Sequence, residues 1–126
     1  MRYIIGAVLI LSIVIAVITL NSVYTDQFID ESISIARDAL ASHENGNTVY
    51  ALQEAKHLYT FWEDNRIYLE SIMTHSMLND IFIAISDFIS AIQSGNTDDI
   101  NKASRLFNVM MNHLKRLEDF SLGNIL

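Results

Sequence analysis

The sequence predicts an all-α chain, with an N-terminal transmembrane helix followed by an antiparallel up-down-up-down bundle of about four helices. Three observations predict it. The stretch YIIGAVLILSIVIAVITL, Tyr3 to Leu20, carries no charge and no proline. The whole 126-residue chain lacks proline and has only four glycines, so little interrupts a helix. Beyond the first stretch, apolar residues return at spacings of three and four, the period of a helix with one buried face.

The leading stretch comes first. As a helix its residues rise about 27 Å, close to the thickness of a bilayer's hydrocarbon layer. Twelve of them are Ile, Leu or Val, which favours insertion by several kcal/mol. Tyr3 and Tyr24 lie about 31 Å apart on such a helix, a separation suited to aromatic anchors at the two water interfaces. Residues 1–24 therefore read as a membrane anchor and 25–126 as a helical domain outside it. Only Arg2 and the terminal amine precede the stretch, while Asp26, Asp30 and Glu31 follow it. The positive-inside bias then places the N-terminus in the cytoplasm of a cell membrane and the domain on the far side. A cleaved signal peptide is the rival reading, but bulky residues in ITLNSVYTDQF stand where a peptidase needs small ones.

The remaining elements follow in order. Ile29, Ile33, Ala36 and Leu40 mark a helix that Thr25 or Asp26 would cap and Gly46 would end. Asn47-Thr48 opens a second helix with Ala51, Leu52, Ala55, Leu58, Tyr59 and Trp62 on its apolar face. A third segment carries Ile67, Leu78, Ile81, Ile85, Phe88 and Ile92 and ends at Gly95. The fourth helix starts at Asn96-Thr97-Asp98-Asp99, with acids where the helix dipole favours them. Its stripe is Ile100, Ala103, Phe107, Met110, Leu114 and Leu117. The tripeptide Gly-Asn-Thr occurs at 46 and again at 95, and is read as shared turn chemistry rather than duplication. A straight helix from Thr48 to Ser94 would drive Glu70, Asp80 and Asp87 into lipid, so a reversal is expected near residues 63–66. The same rise arithmetic sets Phe61 and Trp62 near the headgroups, together with the tail SLGNIL.

Charge and chemistry narrow the function. Beyond Arg2 the chain has seven basic and fifteen acidic residues, a balance that disfavours nucleic acid as a partner. Lys102, Arg105, Lys115 and Arg116 concentrate on the last helix, which is expected to pack against acidic neighbours within the bundle. No cysteine is present, so no disulfide or thiolate metal site exists. Glu54-x-x-His57 has the spacing of a ferritin-like ligand pair, but no second copy accompanies it, and it points away from the apolar stripe. No metal or cofactor is expected. His75 shares a seven-residue line with Phe82 and Ile89, with Ser71 and Asn79 one turn away. It is expected to be a partly buried structural histidine, with pH sensing as the alternative role. Met73, Met77, Met110 and Met111 read as fillers of core gaps. In the tail, Gly123 could end the last helix and fold Leu122 and Ile125 back on the bundle, or the tail could dock on a partner.

The N-terminal apolar segment, Trp62, His75 followed by LNDIFIAISDFISAI, and the closing LEDFSLGNIL resemble domain of unknown function family 4363. These are short single-anchor proteins of Gram-positive, often spore-forming bacteria. The resemblance covers nearly the whole chain and implies a bacterial membrane-associated protein without an assigned activity. It brings no catalytic residue.

The expected function is thus a non-enzymatic, membrane-tethered interaction module, an accessory or scaffold subunit for a membrane-protein partner or for self-association. Its expected contact residues are Phe61, Trp62, Leu122, Asn124 and Ile125. The alternative is an extracytoplasmic ligand-sensing four-helix bundle.

Overall fold

The computed structural model describes residues 1–125, and their side chains as far as Leu117. The described residues form five helices and no strand: α1 (Arg2–Glu44), α2 (Thr48–Asp64), α3 (Arg66–Ile72), α4 (His75–Ser94) and α5 (Thr97–Ile125). The expected all-helical class holds.

The expected start of a separate helix at Thr25 or Asp26 does not. α1 runs unbroken for 43 residues, about 64 Å. The reason lies in the direction of the hydroxyl bonds. An N-cap side chain accepts from amides further along the chain. Here Thr25 Oγ1 donates backward to the Asn21 carbonyl at 2.9 Å, and Ser12 and Thr19 donate to Val8 and Ile15 in the same way. Each hydroxyl is satisfied inside the helix, so nothing competes with its continuation.

The two halves of α1 differ in what surrounds them. Among the described residues none buries a side chain between Tyr3 and Leu20, and Val8, Ile10, Ile13 and Val17 all stand exposed. From Ser22 onward one face is buried, at Ser22, Thr25, Ile29, Ser32, Ala36 and Ala39. That is an alternation of three and four, the spacing of a coiled-coil seam. Buried residues repeat the pattern on the other long helices: Ala51, Ala55, Leu58 and Trp62 on α2, then Leu78, Ile81, Ile85, Phe88 and Ile92 on α4. On α5 they are Ile100, Ser104, Phe107, Met111 and Leu114. Of the expected α1 stripe Ile29 and Ala36 lie in the seam, while Ile33 and Leu40 are partly buried beside it and the neighbouring Ser32 and Ala39 take the seam sites.

α1 packs against α2 and α5, and α4 packs against the same two. Contacts fix the directions. Phe28 stacks on Phe61 near the apolar rod, while Ala39 shares a buried cluster with Ala51 and Ala55 further out, so α2 runs back along α1. Lys115 reaches Asp30 at 2.8 Å while Ser104 lies beside Leu40, so α5 also descends toward the apolar rod. The Lys115–Asp30 pair matches the expected packing of a basic last helix on acidic neighbours.

Turns follow local chemistry. Asn47 Oδ1 accepts from the Tyr50 amide at 3.2 Å, and Thr74 Oγ1 accepts from the Met77 amide at 3.1 Å. Gly95 closes α4 at φ 73°, a left-handed conformation that a Cβ strains. The reversal expected near residues 63–66 is instead spread over two breaks, at Asn65 and at Met73-Thr74, with the short α3 between them. Ile67, expected in the third stripe, is therefore 88% exposed, while Leu69 faces the core. α5 continues through Gly123 to Ile125, so the expected glycine stop there is also corrected.

Trp62 is the largest fully buried side chain. Its indole N–H donates to Ser32 Oγ at 3.0 Å, and that hydroxyl donates in turn to the Phe28 carbonyl at 2.8 Å. Replacing Ser32 with Ala should leave the indole donor unpaired and lower unfolding free energy by about 1–3 kcal/mol, read by urea denaturation. No loss would show that the bond contributes nothing. At Gly95 a Cβ meets open space, so Gly95→Ala should cost only the backbone penalty, about 1 kcal/mol, and Gly95→Asn less.

Candidate functional site

The junction where the apolar rod enters the packed domain is the most elaborated polar feature of the fold. α1 places Asn21, Tyr24 and Thr25 directly after Leu20, and α3 turns back against them. Tyr68 Oη lies 2.9 Å from Asn21 Oδ1 and 2.7 Å from Thr25 Oγ1; each hydroxyl has one proton, so whichever of the two donates across the shorter contact gives up its own bond to Asn21. Tyr24 Oη donates to Asn65 Oδ1 at 3.2 Å, and the Asn65 amide donates to the Phe61 carbonyl at 2.7 Å. The two tyrosine rings meet edge to face, 4.8 Å between centroids. Asn65 therefore serves the break itself: its side chain covers a carbonyl near the end of α2 while holding α1. The collar is made of neutral hydroxyls and amides, a set that positions helices against one another.

Arg66 extends the collar to α4. It pairs with Glu63 at 2.9 Å, and its guanidinium sits 4.4 Å from the centre of the Phe82 ring. The hydrogen bond to Glu63 holds its pKa above the ordinary arginine value, with desolvation opposing, so the cation persists at every working pH. Both partners are partly open to solvent, and the ring contact orients the side chain more than it stabilises the domain.

The expected contact residues fall in three places. Trp62 is corrected outright: it is wholly inside the core, because it continues the α2 seam and finds a hydrogen-bond partner there. Phe61 is half-buried, stacked on Phe28 at 4.5 Å and flanked by the exposed His57. The side chains of Leu122, Asn124 and Ile125 lie outside the described residues. His75 is corrected as well. It is the first residue of α4 and is exposed, because Thr74 breaks the helix before it and the line it shares with Phe82 and Ile89 is covered only from Phe82 onward. It borders an open depression with Tyr59, Arg66, Asn79 and Phe82.

Sequence reasoning picked out Tyr24 but missed its partners Asn65 and Tyr68, which carry no periodic signal. Their one local sign is an asparagine with Trp62 three positions before it and Tyr68 three after, where the apolar stripe fails. A second open feature runs between α4 and α5, a groove of about 600 Å³ that includes Met77, Asp80, Val109, Met110 and His113. Among the described residues no group of three or more His, Asp or Glu side chains is arranged to hold a metal.

Comparison of the chain with protein-family models, curated proteins and solved structures returns no match.

Removal of the Tyr68 hydroxyl isolates the collar. Tyr68→Phe should raise amide exchange across Arg66–Ile72, leave the amides of Ile81–Ile92 unchanged, and lower stability by about 1 kcal/mol. Equal acceleration everywhere would mean the hydroxyl stabilises the whole domain rather than the junction.

Proposed function

We propose that the chain is a non-enzymatic, membrane-tethered helical module, an accessory or scaffold subunit for a membrane-protein partner. Residues 1–24 anchor it in the cell membrane with the N-terminus cytoplasmic. The packed helices, α1's second half with α2, α4 and α5, form an up-down-up-down bundle on the other side.

One observation carries the reading. α1 is a single rod whose first half is apolar all round and exposed, and whose second half buries one face in the core of the domain. An uncovered face of that length far exceeds the apolar patch a water-soluble monomer tolerates. Among the described residues it is the one helix long and apolar enough to cross a bilayer. The contact directions of α2 and α5 support the alternating topology. Arg2 before the rod and Asp26, Asp30 and Glu31 after it support the orientation. The resemblance to domain of unknown function family 4363 supports a bacterial membrane setting.

The partner surface proposed is the rod-side end of α5, where Leu117 is exposed and residues 121–126 follow. A chain lacking residues 121–126 should keep its helical circular dichroism but no longer co-purify with a membrane protein from native membranes. Undiminished co-purification would overturn the assignment of that end to a partner.

A further inference from the structure

The collar also determines how close the domain comes to the lipid. A domain on a flexible linker would float at an undefined distance, but α1 has no linker. Ile67 lies in sequence between Asn65, bonded to Tyr24, and Tyr68, bonded to Asn21. Its level along α1 is thereby bracketed by residues 21 and 24, within about 6 Å of Leu20, the last residue of the apolar stretch.

At that level the surface is apolar. Ile67 is 88% exposed on a helix of only seven residues, and Val23 and Tyr24 on α1 are about half exposed. Tyr24 and Tyr68 combine an apolar ring with a hydroxyl, the character of side chains that settle at a membrane–water boundary. The flanking Glu63, Asp64 and Glu70 are exposed acids. Arg66, next to Ile67, is paired with Glu63, so the surroundings stay net acidic and a contact with lipid here rests on apolar insertion rather than on anionic headgroups.

Resting on the membrane-tethered reading above, we infer that α3 is an interfacial foot: Ile67 enters the headgroup–acyl boundary of the bilayer, with Tyr24 and Tyr68 beside it. The occupant of this face is lipid. The rod and the foot together give the domain two points of attachment, so it stands at a set height and does not swivel about α1.

The absence of native cysteine makes the test clean. Full-length Leu11→Cys, Ile67→Cys and Val49→Cys chains are labelled with an environment-sensitive fluorophore and reconstituted in phosphatidylcholine vesicles whose lipid carries a quencher near the headgroup in one sample, to reach residue 67, and midway along the acyl chain in another, to reach residue 11. Val49 is exposed at the far end of the domain, where α2 begins. The expected result is a blue-shifted, strongly quenched emission at residues 11 and 67 and neither effect at residue 49. If residue 67 behaves like residue 49 while residue 11 is quenched, the foot is refuted and the tether stands. If residue 11 is also unquenched, the tether fails and the foot fails with it.

Discussion

A single helix without a joint serves two different surroundings, and the rest of the structure is built on that constraint. Because α1 passes from its uncovered half to its packed half without a cap or a glycine, every later contact with it sets a height. Asn21 and Tyr24 receive α3, Phe28 and Ser32 receive the end of α2, and Asp30 receives α5. A helix rises about 1.5 Å per residue, so these pairings work as a ruler running from the apolar rod outward. A hinge at residue 21 would leave the domain intact and erase the ruler.

The packed half of α1 is lined by small and hydroxylated residues where bundles commonly use Leu. Ser22, Thr25, Ser32, Ala36 and Ala39 let neighbouring helices come close, and the large side chains are supplied from across the interface. Near the rod those are Trp62 and Phe107, which join α1's own Phe28; at the far end Phe88 and Ile92 pack among Ala39, Ala51, Ala55 and Ala91. A buried serine is tolerable only with its hydrogen bonds made, and Ser32 makes two. Its oxygen lets an indole, which needs an acceptor, occupy the centre of the core. That is why Trp62 ends inside and not at an interface. The tyrosines of the collar divide the task differently, with their rings in the packing and their hydroxyls on Asn21, Thr25 and Asn65.

The path between α2 and α4 shows how a chain free of proline still turns. Asn65 and Thr74 each divert backbone bonding through a side chain, and the seven-residue α3 between them adds Leu69 to the core. The turn thus presents Ile67 outward at the level where the apolar rod begins. Charge follows a simpler rule. Of the basic residues gathered on α5, Lys115 pairs across to Asp30, and Arg66 binds within its own turn to Glu63 while covering Phe82.

Local rules made much of this legible in the residues alone. The apolar rod, the stops at Gly46 and Gly95, the Asn47 cap and the seams of α2 and of α4 from Leu78 each depend on near neighbours in sequence, and each was readable from spacing and residue type. On α5 Ile100, Phe107 and Leu114 were readable, while Ser104 and Met111 took the sites read as Ala103 and Met110, and Leu117 is exposed. Three things were decided only when the helices met. Thr25 was read as a cap, yet became a buried rung, because its hydroxyl had an acceptor one turn back and a tyrosine from α3 beside it. Trp62 was read as an interface aromatic, yet became the core, because Ser32, thirty positions away, offered its indole an oxygen. His75 was read as partly buried, yet stands open, because Thr74 ended the line it seemed to share. Periodicity records which face of a helix is apolar. It does not record which polar atom on another helix will satisfy a donor, and that pairing exists only in the assembled fold.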